Sequence, residues 1–275
     1  MNALRTRLRL IRPNICVLTI LGVSVGAIIS GSIYSFWKVI PALLAAFSIA
    51  GAGNVINDYF DFESDQINKP ERPLPSGEIG KKDTIYFWAF LNVVGISSAL
   101  FVSTPYLMIA LINIFIATLY SWKLQYLPVV GNIADTFLAA VTYPAGGLIT
   151  LSFLEVFNSP LMILFAIVFF GNWSREVFKD IEDMEGDKKT GSRSLPILIG
   201  KEKSMWFARS LLILPALLLF YPYFIGMFGF YYLLMVLIGE FLIIYSMIND
   251  EKKSQRALKI TMFVLMAAFL LGSLL

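Results

Sequence analysis

The chain has 275 residues, of which 57% are hydrophobic and only 15% charged, against about a quarter charged in ordinary soluble domains, and this places it in a membrane. A net charge of +3, with the basic residues scattered among many links, excludes a nucleic-acid binder. With one cysteine and no histidine there is no intramolecular disulfide, no histidine general base and no histidine-held zinc or haem, which leaves carboxylate chemistry and hard, oxygen-seeking cations.

Apolar stretches of about twenty residues predict an all-α polytopic membrane protein with nine transmembrane helices, at residues 14–35, 38–60, 84–103, 105–122, 129–150, 160–178, 205–221, 225–248 and 258–274. The first follows Arg5, Arg7, Arg9 and Arg12 and reads as a retained helix, because it exceeds a leader's apolar core and further spans follow. Of the 22 Lys and Arg, all but Lys38 fall on one face of this layout. Positive charge is held inside, so the amino terminus is expected in the cytoplasm of a cell-membrane protein. The outer links carry only Lys38 and Glu155, so residues 1–275 read as a single domain whose chemistry faces the cytoplasm.

Span two ends in NDYFDFESD, residues 57 to 65. Asp58, Asp61 and Asp65 are spaced i, i+3, i+7, which puts them within an arc of about 60° on a helix, with Asn54 on the same stripe. Span six ends in REVFKDIEDMEGD, where Asp180, Asp183 and Asp187 repeat that spacing, a hint of an old duplication. Each aspartate left in hydrocarbon would cost about 2.5 to 3.5 kcal/mol. Two carboxylates about 5 Å apart repel by roughly 3 kcal/mol at an effective dielectric near 20. Six together call for a cation, and oxygen donors alone select Mg²⁺, which completes its shell with water and phosphate oxygens. The expected ligand is therefore phosphorylated. Glu63, Glu71, Glu78, Glu182, Glu185 and Glu202 lie off the stripe and read as solvated.

Basic groups stand ready for the other phosphate oxygens: Arg72 among Pro70, Pro73 and Pro75, Lys123 as the sole charge of its link, and Arg175 and Lys179 beside the second cluster. Asp135 and Glu240 fall inside spans and are either functional or hydrogen-bonded helix contacts. Tyr59, Tyr120, Trp122, Tyr143 and Trp173 near the inner ends read as packing and interface belt, with some rings suited to lining a hydrocarbon tunnel. Gly186 and residues 188–192 suggest the hinge of a lid.

The motifs NDYFDFESD, KPERPLPSG, LYSWK and KDIEDMEGD, in that order and preceded by RPN at residues 12–14, resemble those of the UbiA superfamily of intramembrane prenyltransferases. The resemblance covers essentially the whole chain. It implies helices around a central cavity, with both aspartate motifs at its cytoplasmic mouth binding Mg²⁺ and an isoprenyl diphosphate. Asn54, Asn57, Asp58, Asp61 and Asp65 would form the first site and Asp180, Asp183 and Asp187 the second. Arg72, Lys123 and Lys179 would neutralise diphosphate oxygens, and Tyr120 would donate a hydrogen bond. The wording of the motifs is most like the archaeal ether-lipid branch, which implies geranylgeranyl diphosphate as donor and the hydroxyl of geranylgeranylglyceryl phosphate as lipid acceptor. An aromatic acceptor of the 4-hydroxybenzoate type is the alternative. A lipid-diphosphate phosphatase is a further enzyme class, and a Mg²⁺ transporter or channel the non-enzyme one. A transporter fits less well, because a permeation path needs polar groups at the midplane or in both halves of the bilayer. Oligomeric state and prenyl length are not fixed by the sequence.

Overall fold

In a computed structural model of the chain, residues 3–190 and 194–274 are described, apart from the side chains of Asp187, Lys189 and Thr190. Among the described residues fifteen α-helices follow one another: α1 Ala3–Ile11, α2 Pro13–Ile29, α3 Phe36–Phe60, α4 Phe62–Asn68, α5 Lys81–Leu100, α6 Thr104–Trp122, α7 Val130–Ala140, α8 Thr142–Gly147, α9 Phe153–Phe157, α10 Leu161–Thr190, α11 Leu195–Ile199, α12 Lys201–Leu218, α13 Tyr221–Phe224, α14 Phe230–Ile248 and α15 Glu251–Leu274. Among the described residues there is no strand. The chain divides into two compact units, Met1–Leu124 with Pro144–Val156, and Gln125–Tyr143 with Phe157–Leu275.

In the first unit α3 is the hub, packed against α1, α2, α5 and α6. Lipid tails are as apolar as leucine, so helices here associate through close packing and interhelical hydrogen bonds, which favours small residues at the contact. Ala42, Ala45, Ser48, Gly51 and Ala52 on α3 are accordingly buried. Tyr106 on α6 donates its hydroxyl to the Ala42 carbonyl at 2.7 Å. Residues 144–150 belong to this unit and are pinned by polar contacts: Ser103 Oγ donates to the Leu148 carbonyl at 2.6 Å, and the Ser32 and Thr150 hydroxyls lie 2.6 Å apart. There the backbones touch, because a Cβ on Gly146 would sit 2.2 Å from the Val23 carbonyl oxygen and 2.5 Å from the Ala27 nitrogen of α2. Since those atoms are main chain and cannot swing aside, Gly146→Ala is expected to destabilise the fold by at least about 1–3 kcal/mol. A lowered thermal midpoint of the purified variant in detergent checks this.

In the second unit α10 is the hub, packed against α7, α11, α12 and α15. Ser174 Oγ fastens it to α12 by donating to the Ala208 carbonyl at 2.8 Å. An aromatic train runs through this unit, Phe137 to Phe165 to Phe169 to Trp173 to Phe207, with successive ring centroids 6.1, 5.6, 5.8 and 5.6 Å apart. Phe165, Phe169 and Trp173 recur every fourth residue on α10, so they form one stripe along the helix.

Seven helices among the described residues are long and apolar enough to cross a bilayer, and α1 with α2, bent by 53°, makes an eighth if taken as one broken span. The fifth of the nine expected spans is not a single helix. Residues 129–150 form α7, of 11 residues, and then the short α8. At 1.5 Å per residue α7 covers about 16 Å of a hydrocarbon core about 30 Å thick. Its continuation fails around Pro144, which has no amide hydrogen to give and whose ring crowds the carbonyl four residues back. At Gly186, where a hinge is expected, α10 continues as helix to Thr190; residues 191 and 192 of the expected 188–192 stretch lie outside the described ones.

Candidate active site

Asp58, Asp61 and Asp65 were expected on one uninterrupted helix, and the structure places a joint among them. α3 stops at Phe60, α4 starts at Phe62, and Asp61 lies between. The helical hydrogen-bond step nevertheless continues, with Asp61 N–H on the Asn57 carbonyl at 2.9 Å and Asp65 N–H on the Asp61 carbonyl at 2.8 Å. Asp58 and Asp65 therefore stay on one side, and both are almost fully buried, at 2% and 3% exposure.

Two guanidinium groups neutralise them. Arg72 comes from the segment after α4, where its N–H bonds the Lys69 carbonyl at 3.0 Å and its own carbonyl takes the Ser76 N–H at 2.9 Å. Its Nη1 donates to Asp58 Oδ1 at 3.1 Å and to Asp65 Oδ2 at 2.5 Å, so the two carboxylates share one nitrogen. Arg12 Nη2 donates to the same Asp58 oxygen at 2.5 Å.

Arg12 was not among the expected site residues, although RPN at residues 12–14 precedes the motifs. It occupies the break between α1 and α2, where Pro13 is the first helical residue of α2 and Arg12 takes φ 52°, ψ 73°. A left-handed conformation costs a residue with a Cβ about 1–2 kcal/mol. The surroundings hold it there: the Ile11 carbonyl, freed at the break, accepts from Asn54 Nδ2 at 2.8 Å and from Cys16 Sγ at 3.1 Å. Asn54, expected to bind metal or diphosphate, thus spends a donor on fixing the backbone that carries Arg12. Glu78, expected to be solvated, accepts from Arg9 Nη1 at 2.6 Å and Thr6 Oγ1 at 3.3 Å, and so ties the proline-rich segment to α1. Glu63, Glu71, Glu182, Glu185 and Glu202 are exposed.

Asn57 and Tyr120 are half-buried, on α3 and α6. Lys123 follows the last residue of α6; it is exposed, with its ammonium 6.0 Å from the centre of the Trp122 ring.

The second unit carries its own polar cluster on the C-terminal half of α10 and on α7. Asn132 Nδ2 donates to Asp180 Oδ2 at 2.8 Å. Glu176, buried, accepts from Arg175 Nη2 and, at 3.3 Å, from Lys179 Nζ. Arg175 Nε also donates to Asn172 Oδ1 at 3.1 Å. Asp135 on α7 lies close enough for the charges of Glu176, Lys179 and Arg175 to act on it. Asp183 is exposed, and the Asp187 side chain lies outside the described ones. Glu240, in contrast, sits on α14 with Oε1 buried and without a hydrogen-bond partner among the described residues. Asn132, Asn172 and the buried role of Glu176 were not legible from spacing.

The donors in both clusters are oxygen atoms, the chemistry that suits Mg²⁺. Among the described residues no three acidic or thiol side chains converge on one point. The first unit brings two carboxylates together around a cation, here Arg72 Nη1, and one or two carboxylates plus water and phosphate oxygens is the usual Mg²⁺ set. The residues present therefore fit the ion.

The family model described as "UbiA prenyltransferase family" matches residues 16–269. The chain belongs to the UbiA prenyltransferase family, and with its apolar helices it is a multi-pass integral membrane protein. It is 38% identical to digeranylgeranylglyceryl phosphate synthase of Methanocaldococcus jannaschii over 283 residues, covering 100% of this chain and 98% of that protein. A solved structure concerned with digeranylgeranylglyceryl phosphate synthase in membranes is 36% identical, with a TM-score of 0.83 over 99% of both chains. A UbiA homologue from Archaeoglobus fulgidus, bound to DMAPP and Mg²⁺, shares the fold at a TM-score of 0.68 and 19% identity, over 98% of this chain and 100% of that one.

Proposed function

We propose that the chain transfers a geranylgeranyl group from geranylgeranyl diphosphate to the hydroxyl of geranylgeranylglyceryl phosphate, in Mg²⁺-dependent synthesis of archaeal-type ether lipid. The observation that carries this reading is full-length similarity, at 34 to 38% identity, to proteins named digeranylgeranylglyceryl phosphate synthase. The whole chain acts as one prenyltransferase domain, since the family match runs through both compact units. Its site faces the cytoplasm, on the side that carries all but one of the 22 Lys and Arg.

In this reading Asp58, Asp61 and Asp65, and Asp180, Asp183 and Asp187, would hold Mg²⁺, with Asn54 and Asn57 beside the first set. When bound, Mg²⁺ would supply charge neutralisation on the leaving diphosphate. Arg72, Lys123, Arg175 and Lys179 bind the remaining phosphate oxygens, and Tyr120 donates a hydrogen bond to them. The bond between prenyl C1 and the diphosphate oxygen breaks, the allylic cation is captured by the acceptor hydroxyl, and the hydroxyl proton departs as the ether bond forms. Ionisation of this kind needs no protein nucleophile. That suits a chain without histidine, whose one cysteine is buried and donates to a backbone carbonyl. Asp58, Asp61 and Asp65 lie at the junction of α3 and α4 beside Arg72, while the long helices carry the apolar mass, a division suited to a ligand with a charged head and a prenyl tail.

The test uses the purified protein in nanodiscs with Mg²⁺ and radiolabelled geranylgeranyl diphosphate, and offers geranylgeranylglyceryl phosphate or 4-hydroxybenzoate in separate reactions. Labelled diether lipid that disappears on chelation is the expected result. Label in the aromatic product alone would refute the acceptor, and failure to bind the diphosphate at all would refute the reaction.

A further inference from the structure

One oxygen, Asp58 Oδ1, takes hydrogen bonds from two guanidinium groups, Arg12 at 2.5 Å and Arg72 at 3.1 Å. The carboxylate is buried, while the two arginine side chains remain 27% and 20% exposed. A divalent cation on that oxygen would meet both positive groups at contact distance, so at least one guanidinium must leave it. Arg72 has a second anchor on Asp65 at 2.5 Å, and among the ion pairs of the described residues Arg12 has Asp58 alone. Arg12 is therefore the group the metal displaces. Its backbone does not follow: the Asn54 bond to the Ile11 carbonyl fixes the break, and Ile11 packs so closely on Gly51 that an added Cβ there would lie 3.3 Å from Ile11 Cβ. A planar fork of donors on an immobile base, set free beside a metal-loaded carboxylate, is suited to phosphate oxygens.

We propose that Arg12 and a divalent cation compete for Asp58, and that metal arrival releases Arg12 to bind a phosphate group of the substrates. The inference rests on the reading of Asp58 as a metal ligand given above. The phosphate could be the donor's diphosphate or the acceptor's monophosphate, and inorganic pyrophosphate and glycerol 1-phosphate stand for the two. Arg12 in this role restrains metal binding in the empty protein and reinforces phosphate binding in the loaded one, so its removal moves the two affinities in opposite directions.

The experiment titrates Mn²⁺ by electron paramagnetic resonance into wild type, Arg12→Gln and Arg12→Lys in nanodiscs, and then titrates each phosphate probe into the Mn²⁺-loaded proteins. For Arg12→Gln, Mn²⁺ alone is expected to bind about fivefold tighter or better, while one phosphate probe binds at least about tenfold more weakly. Weakening in the pyrophosphate arm assigns Arg12 to the donor, and in the glycerol 1-phosphate arm to the acceptor. Arg12→Lys, which keeps the charge without the fork, should hold Mn²⁺ as wild type does and lose phosphate affinity. Unchanged or weaker Mn²⁺ binding in Arg12→Gln, or two unaffected phosphate arms, overturns the proposal. A second measurement needs no variant: phenylglyoxal labelling of Arg12 in wild type, read by peptide mass spectrometry, should rise with Mn²⁺ and fall again when the effective phosphate probe is added. Labelling indifferent to Mn²⁺ refutes the exchange. A chain that binds Mn²⁺ and exchanges Arg12 yet transfers no prenyl group would overturn the reaction and leave the exchange standing.

Discussion

Asp58→Asn is expected to lower prenyl transfer by about 10²- to 10³-fold, the size of effect seen when one preorganised electrostatic partner of a reacting group is removed. Asparagine keeps the shape and an oxygen, so the loss isolates charge. In the wild-type chain Asp58 is buried beside Arg12 and Arg72, and its negative charge is the shared counter-charge of both guanidinium groups. Neutralising it leaves the arginines without their shared counter-charge and the metal with one fewer anionic ligand. The rate of diether formation at saturating Mg²⁺ and geranylgeranyl diphosphate measures the effect. Activity within threefold of wild type would show that Asp58 is not part of the metal site. A parallel Asp180→Asn variant checks the second cluster, where Asn132 already supplies a hydrogen bond to the carboxylate.

Arg72→Ala should produce the largest stability loss of any single surface-adjacent change, about 3–5 kcal/mol. The cause is electrostatic. Arg72 Nη1 alone bridges Asp58 and Asp65, both almost without solvent contact, and deleting it leaves two neighbouring buried carboxylates with Arg12 on one of them only. Removing one partner of a buried pair costs far more than the pair contributes, because the remaining charge has lost its solvation and gained nothing. A fall in the thermal midpoint in detergent is the readout. Addition of Mg²⁺ should restore part of it, since a divalent cation replaces the missing positive charge. A midpoint equal to wild type, or one that Mg²⁺ leaves untouched, would contradict this account.

The parts of the site that sequence reading reached are those encoded by short-range periodicity. Asp58 and Asp65 with Arg72, and Arg175 and Lys179 a turn or less from Asp180, lie together through spacing along one helix or one link; Asp183 is exposed, and the Asp187 side chain lies outside the described ones. Arg12 could not be reached that way, because it is 46 residues from Asp58 and meets it only through the break before Pro13. Pro13 is the first helical residue of α2, but the direction in which Arg12 points depends on a positive φ and on Asn54, neither of which has a local signature. Asn132 and Asp180, likewise, are joined only by the packing of α7 on α10. The form of the fifth span was missed for a related reason. Residues 129–150 are as apolar as their neighbours, and hydropathy sums composition over a window without registering that Pro144 interrupts the backbone ladder. Of the acids expected to be solvated, Glu63, Glu71, Glu182, Glu185 and Glu202 are exposed, and Glu78 is the exception because Arg9 and Thr6 of another segment claim it.

Cys16 lies on α2 with no solvent exposure, its thiol donated to the Ile11 carbonyl, and it is the chain's one cysteine. To a maleimide reagent the folded wild-type protein is therefore blank. A cysteine placed at an exposed position such as Glu63 or Gln66 becomes the sole attachment point for a spin label or fluorophore, without first stripping native thiols from the membrane-embedded core. The buried thiol turns the native sequence into a ready background for following the proline-rich segment and α4 spectroscopically as metal and diphosphate are added.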